Sequence, residues 1–361
     1  MPALQSYNSP NLRKCSVSYL FLQFSAMLFA CAAVAVAQPR EYKSWQSHLC
    51  DSILLSSLSI PGAHDAATGE GLCFVAGFGK TQSLTLSELW DSGVRAFDLR
   101  PAVSDGALKI CHGPIKVRIS FDDALEVICS KLKQNPTEFA IVLLREESES
   151  ENDEERALWP SAVGASIASL GDRAAAFSSG MTVGDVRGKI LFLSRSHYCG
   201  TAKGALIKGW SHSAQGSCEA RIVSSAGGAE EVLQVQDYYN TIGHERQCNK
   251  SAAIKRFFNI AANAPACVWT INFLSGYSTL WLGIPGVPTT AGYKRNAERQ
   301  NAYALNCLNE QQKPAVGIVF MDFAGIDAVA GGIWHPAAFR VHGKTLVQTV
   351  IERNFAGAGQ R

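Results

Sequence analysis

Two histidines stand at the ends of short apolar runs: His64 in "SIPGAHDAAT" (59–68) and His112 in "LKICHGP" (108–114). Asp65 follows His64 directly. Other apolar runs end in charge as well. Asp98 and Arg100 close "VRAFDLRP", Arg145 follows "FAIVLL", Arg195 ends "GKILFLSR", Asp237 and Tyr239 lie in "LQVQDYY", and Asp322 closes "VGIVFMDF". Any one of these could be a salt bridge at a rim. Two imidazoles, three guanidinium groups and several carboxylates brought to one place would instead form a site for an anionic substrate worked by acid–base chemistry. One histidine can take a proton while the other gives one, and arginines can hold phosphoryl oxygens as charge builds on them. Those are the parts that cleavage of a phosphodiester needs. No GxSxG elbow is present and no Ser or Cys is marked as a nucleophile, so acyl transfer is poorly served.

These residues would meet if their runs were strands of one sheet. Runs such as IVLL, ILFL and GIVF are apolar without alternation, as strands covered on both faces of a parallel sheet must be. Helical patterns fall between them. "TLSELWDSG" ends at Gly93, and "SFDDALEVICSKLKQNP" has Ser120 as a candidate N-cap. Further helices are expected around 154–170, from about Lys250, over 293–308, and in "KTLVQTVIERN". Continuous β–α alternation favours a single α/β domain closed as a (β/α) barrel, whose chemistry lies at the carboxyl ends of its strands. Neither GxGxxG nor GxxxxGK[ST] occurs, which argues against a nucleotide-binding sheet.

The composition sets limits. The 361 residues are 47% apolar and 18% charged, with net charge +2. No basic stripe is available to read a phosphate backbone, so nucleic acid is excluded as a partner. Residues 1–37 have the three-part form of a secretory signal: Arg13 and Lys14, an apolar stretch, then Ala35-Val36-Ala37. An uncleaved anchor helix is the alternative, with cleavage before Cys31 a third. The folded part is expected over 42–361, exported from the cell. Nine cysteines lie beyond the leader, none in a CxxC pair, so zinc is not expected. Export would permit disulfides, although the odd count leaves at least one thiol unpaired.

"LSIPGAHDAAT", "TLSELWDSGVRAFDLRP", "LKICHGP", "FAIVLLREE", "GKILFLSR", "KGW", "VQDYY", "NFLSG" and "VGIVFMDF" resemble, in order and spacing, the bacterial-type phosphatidylinositol-specific phospholipase C X domain. The resemblance covers roughly residues 45–350 and implies an irregular TIM-like barrel. It implies His64 as general base on the inositol 2-hydroxyl, oriented by Asp322, and His112 as general acid, partnered by Asp98. Arg100, coupled to Asp65, would bind the phosphate. Trp210, Arg195, Asp237 and Tyr239 match inositol-pocket positions, and Arg145 stands where the family has a lysine. The first product would be diacylglycerol with inositol 1,2-cyclic phosphate, because the attacking hydroxyl belongs to the substrate. Enforced proximity then replaces an enzyme nucleophile.

Signalling relatives that use calcium carry an acid where this chain has Arg100, and an amide where it has Asp65. The resemblance therefore implies no metal and no cofactor, and the acidic run 146–155 reads as a solvated loop. Two apolar segments, "GLCFVAGFG" and "YSTLWLGIPGV", are expected to form a membrane-facing rim carrying Phe74, Phe78 and Trp281. The expected partner is a membrane surface bearing phosphatidylinositol or a glycosylphosphatidylinositol lipid, met by a monomer attached peripherally. Two other readings remain at this point. One is a catalytically weak barrel that binds inositol lipids. The other is a different phosphodiesterase, such as one acting on glycerophosphodiesters.

Overall fold

Most of the apolar runs become the staves of one closed sheet, while the run that ends at His112 does not. In the computed structural model, which describes residues 41–73, 79–147, 153–211, 217–277, 290–311, 316–332 and 336–356, nine strands close into a barrel. They are β1 (Ile60–Ala63), β2 (Ala96–Leu99), β6 (Ala140–Leu144), β7 (Ile190–Ser194), β8 (Ala205–Lys208), β9 (Ser217–Ser224), β10 (Glu230–Gln236), β11 (Trp269–Phe273) and β12 (Ile318–Met321). Around the barrel the order is β1-β12-β11-β10-β9-β8-β7-β6-β2, and β2 pairs with β1 to close it. Every residue of β1, β2, β6, β7, β11 and β12 is buried, as a parallel stave enclosed on both faces requires.

The helices that cover the barrel follow local rules. They are α1 (Leu86–Asp91), α2 (Phe121–Gln134), α3 (Asp153–Ser169), α4 (Val183–Val186), α5 (His244–Asn263), α6 (Thr290–Glu310) and α7 (Gly343–Glu352). Thr85 and Glu88 form a capping box at the start of α1. The Ser120 hydroxyl accepts from the Asp123 N–H at 3.1 Å and caps α2, as the sequence suggests. Phe121, Ala124, Leu125, Ile128 and Leu132 then form one buried stripe along α2.

The alternation is less regular than the sequence implies. β2 is followed by an antiparallel sheet of β3 (Pro101–Ser104), β4 (Ala107–His112) and β5 (Ile115–Ser120) outside the barrel. Asp105 and Gly106, both at positive φ, turn β3 into β4. β9 runs antiparallel to both β8 and β10, so no helix crosses over there. Its burial alternates, since one face looks outward. Helix α5 begins at His244 rather than near Lys250, because the polar first turn "HERQCN" lacks the apolar spacing that marks a helix.

The leader expected at 1–37 lies outside the described residues. No helix among the described residues is long and apolar enough to cross a membrane. Among the described residues the nine cysteines from Cys50 to Cys307 are all free thiols, and none forms the disulfides that export would permit.

Candidate active site

β1 and β12 are neighbours, and each ends in a backbone turn that non-glycine residues rarely adopt. Strand alternation would send His64 and Asp65 to opposite faces. Asp65 instead takes φ +43°, and Phe323, just after Asp322, takes φ +52°. Conformations of this kind are costly and persist where the surroundings dictate them. At Asp65 the turn brings the two adjacent side chains to the same guanidinium.

That guanidinium belongs to Arg100, just beyond β2. Its Nε lies 2.8 Å from Asp65 Oδ1. Its NH2 donates to Asp98 Oδ2 at 2.9 Å and to His64 Nε2 at 2.9 Å. NH1 has Glu147 Oε2 at 3.9 Å as its charged neighbour, which leaves it as the donor face available to an anion. Burial disfavours the charge on Arg100, yet Asp65, Asp98 and Glu147 outweigh it and raise its pKa well above the ordinary value. Asp65 shows the complement. Burial would raise its pKa, but Arg100, His64, His112 and Arg145 together hold the carboxyl well below the usual range.

His64 is oriented from both sides. Nδ1 lies 2.7 Å from Asp322 Oδ1. Because Arg100 can only donate, the neutral ring must present its Nε2 lone pair to Arg100 and its Nδ1–H to Asp322. If Nε2 gains a proton, Asp65 Oδ2 is 3.2 Å away to receive it. Burial disfavours the imidazolium, but Asp65 and Asp322 prevail and the pKa of His64 is raised. Asp322 itself is raised by burial despite His64. Gln82 fixes the backbone beneath, donating to the carbonyls of His64 at 2.8 Å and Met321 at 2.9 Å. It ties the end of β1 to the end of β12, at His64 and next to Asp322.

His112, the last residue of β4, arrives from outside the barrel. Its Nδ1 lies 2.6 Å from the Gly79 carbonyl and therefore carries a proton donated there. Gly79 has φ +69°, and a Cβ on it would come within 2.9 Å of Ile115 and 3.4 Å of His112 Nδ1. Only glycine fits this bend. The other nitrogen, Nε2, lies 3.4 Å from Asp65 Oδ2 and 3.2 Å from the Tyr293 hydroxyl. Both histidines thus turn Nε2 to one carboxylate oxygen.

Here the sequence expectation is corrected. Asp98 does not partner His112; it accepts from Arg100 and from the Asp65 N–H (3.4 Å), and Asp65 is the carboxylate at His112. The left-handed turn at Asp65, invisible in the sequence, swings its carboxylate across to β4. Two participants went unrecognised. Glu147, buried beside Arg100, follows directly from "LLREE" and could have been suspected. Tyr293 on α6 carried no signal beyond an aromatic in a helix.

A second cluster lies beside the first. Arg195, after β7, stacks its guanidinium 4.1 Å over Trp210. Asp237, after β10, accepts from Trp210 Nε1 at 3.2 Å and pairs with Arg195 NH1 at 3.5 Å. Burial lowers the pKa of Arg195 to about 10, with Asp237 opposing. The Phe273 ring stands edge-on to both His64 and Trp210, 6.0 Å from each, and so joins the two clusters. Tyr239 packs its ring 5.8 Å from Tyr277. Arg145 is half-buried, and its charge acts on Asp65, Glu147 and Arg195. Phe74, Phe78 and Trp281 lie outside the described residues.

His64, Asp65 and Asp98 offer ligand-type atoms within 4.8 Å of one another, a spacing that could hold a metal ion. Arg100 already touches all three, through NH2 to His64 and Asp98 and through Nε to Asp65. A fixed cation fills the position and would repel a second. The residues therefore do not fit a divalent ion.

Comparison with known proteins bears on the barrel that carries this geometry. No family model matches the chain. A curated relative, the 1-phosphatidylinositol phosphodiesterase of Listeria monocytogenes, is 33% identical over 159 residues, covering 43% of this chain and 49% of that protein. The chain thus matches about half the length of this relative. Among solved structures, a phosphatidylinositol-specific phospholipase C from Staphylococcus aureus superposes with a TM-score of 0.66 at 20% identity, over 87% of this chain and 98% of that one. The Listeria monocytogenes enzyme gives 0.60 at 24%, over 87% and 99%. At such identities the structural likeness establishes the fold.

Proposed function

We propose that this chain is a member of the bacterial-type phosphatidylinositol-specific phospholipase C family and cleaves phosphatidylinositol to diacylglycerol and inositol 1,2-cyclic phosphate without a metal ion, a reading supported by its likeness to such enzymes. The observation that carries this reading is the shared carboxylate. Asp65 Oδ2 stands 3.2 Å from His64 Nε2 and 3.4 Å from His112 Nε2, with Arg100 against the same aspartate. A base and an acid on either side of an anion-holding guanidinium suit an in-line displacement at phosphorus.

In this reading His64 Nε2 removes the proton of the inositol 2-hydroxyl. The freed oxygen bonds to phosphorus while the bond to the glycerol oxygen breaks. Asp322 at Nδ1 and Asp65 at Nε2 stabilise the imidazolium that forms. Arg100 NH1 meets the charge on the phosphoryl oxygens, and Arg145 adds positive potential. His112 gives its Nε2 proton to the departing glycerol oxygen, with Asp65 Oδ2 3.4 Å from that nitrogen. Asp98 and Glu147 hold the guanidinium in place. The inositol ring would lie over Tyr239, with its hydroxyls on Arg195 and Asp237 and the face of Trp210 steadied by the Arg195 stack. Trp210 and Asp237 fix each other through a hydrogen bond, so the pocket is organised before substrate arrives.

The leader at 1–37 would export the chain, leaving 42–361 as the working barrel. It would meet its lipid at a membrane surface as a peripheral monomer, with Phe74, Phe78 and Trp281 inserted among the headgroups. Membrane binding has been examined for the Staphylococcus aureus structure. The purified protein, given vesicles of phosphatidylinositol, of glycosylphosphatidylinositol lipid or of phosphatidylcholine, should release diacylglycerol from the first or second and none from the third. Release from phosphatidylcholine, or from none of them, would end this reading.

A further inference from the structure

Behind the wall of the Trp210–Asp237 pocket lies a charged side chain that the chemistry above does not use. Lys250, in the second turn of α5, has no exposed surface. Its Nζ donates to the Phe273 carbonyl at 2.5 Å and to Gln236 Oε1 at 3.3 Å. Both acceptors are neutral, and no carboxylate forms an ion pair with it among the described residues. Burying an ammonium this way costs several kcal/mol, and a methionine of similar length would fill the space without that cost.

The two acceptors are the last residues of adjacent strands, and a second set of bonds reinforces them. Gln236 Nε2 donates to the Phe273 carbonyl and to Asn272 Oδ1, both at 2.8 Å. Gln236 Oε1, the atom that Lys250 reaches, also accepts from the Tyr238 N–H at 2.6 Å. The next residue after Gln236 is Asp237, which holds Trp210 and Arg195. Phe273 carries the ring that touches both His64 and Trp210. A single ammonium therefore grips the two strand ends that carry the pocket's carboxylate and its dividing ring.

We propose that Lys250 is a positioning residue for the headgroup pocket, tying the ends of β10 and β11 together so that Asp237 and Phe273 are held against the substrate. The proposal rests on reading the Trp210–Asp237 cluster as the inositol pocket. Burial lowers the Lys250 pKa to about 7, against the pull of Asp237 and Asp322. The amine keeps two protons when neutral, so both contacts survive that loss.

Steady-state kinetics of Lys250→Met on phosphatidylinositol in mixed micelles test the idea. KM should rise ~10-fold or more while kcat stays within ~3-fold, because a displaced pocket weakens binding and the histidines keep their own partners. Gln236→Leu cuts the same tie from the other side. It should give a similar rise in KM, and the double variant should be little worse than either single one. An unchanged KM in Lys250→Met overturns the proposal, as does a loss confined to kcat. If that variant does not fold, Gln236→Leu alone decides, and an unchanged KM there overturns it. Hydrogen exchange of the 236–239 amides separates this result from the reading of the reaction. If the native protein leaves phosphatidylinositol intact, the reaction fails, and the tie is then judged by faster exchange in Lys250→Met. Equal exchange overturns it.

Discussion

Strand β2 carries an arginine beyond each end, and the two are used in opposite ways. Arg95, before its first residue, is fully buried and surrounded by acceptors. It donates to Glu138 through Nε at 3.0 Å and NH2 at 2.8 Å, and to the carbonyls of Trp90 and Val94 at 2.9 and 2.8 Å. Its guanidinium also lies 3.9 Å over the Trp90 ring. Nothing is left over for a ligand. Arg100, beyond the last residue, faces three carboxylates and a histidine in a mouth where its side chain is 12% exposed. Burial lowers the pKa of Arg95 to about 10 although Glu138 opposes it. At Arg100 the carboxylates win against burial. One end of the barrel neutralises its charges and closes over them. The other gathers more charge than stability calls for, and in a barrel of this kind that is the end where chemistry belongs.

The sharpest way to break this contrast is to remove the groups that face the mouth. His64→Ala and His112→Ala should each lower turnover on phosphatidylinositol by at least ~10²–10⁴-fold. Their double variant should fall far short of the product of the two losses. Near-native rates in either single variant would sink the assignment. Arg100→Ala should cost ~3–4 kcal/mol of barrier, by analogy with loss of an oxyanion donor. Arg100→Lys should restore only part, since an ammonium cannot span Asp65 and Asp98 together. Arg95→Met should do the reverse. It strands a buried glutamate, so thermal or denaturant unfolding should show ~3–5 kcal/mol of lost stability, while kcat of the folded fraction stays near that of the native protein. Equal losses of activity in the Arg95 and Arg100 variants would erase the distinction between the two ends.

The smallest effect is a shift in pH. His64 must be neutral to act, and its pKa is raised, with Asp65 and Asp322 overcoming burial. The acid limb of kcat/KM should therefore lie above the ordinary histidine value. Asp322→Asn removes one of the two raising charges, so that limb should move to lower pH as total activity falls. A limb that stays put would mean that it belongs to another group.

Much of the mouth was legible because strand ends are marked locally. An apolar run followed by His, Asp or Arg is visible without knowing its neighbours, and His64, Asp98, Arg100, His112, Arg145, Arg195, Asp237 and Asp322 were all readable this way. Which of them touch was less legible. Asp65 reaches His112 because of one left-handed turn, and no residue type announces a positive φ at aspartate. β9 was missed because its exposed face makes "SCEARIVS" look like a polar loop. Lys250 is wholly buried, and nothing in the polar sequence around it marks that burial. Tyr293 meets His112 across 181 positions of sequence, a distance over which periodicity carries no information.

In the proposed reaction fixed protein charges do the work of a metal, and the substrate's own hydroxyl is the nucleophile. Phosphorus NMR of phosphatidylinositol turnover, followed in excess chelator, tests both parts at once. The account predicts an undiminished rate, with the inositol 1,2-cyclic phosphate resonance growing before any open-chain inositol phosphate. A rate that collapses in chelator and returns with calcium, or open-chain phosphate as the first product, would contradict it.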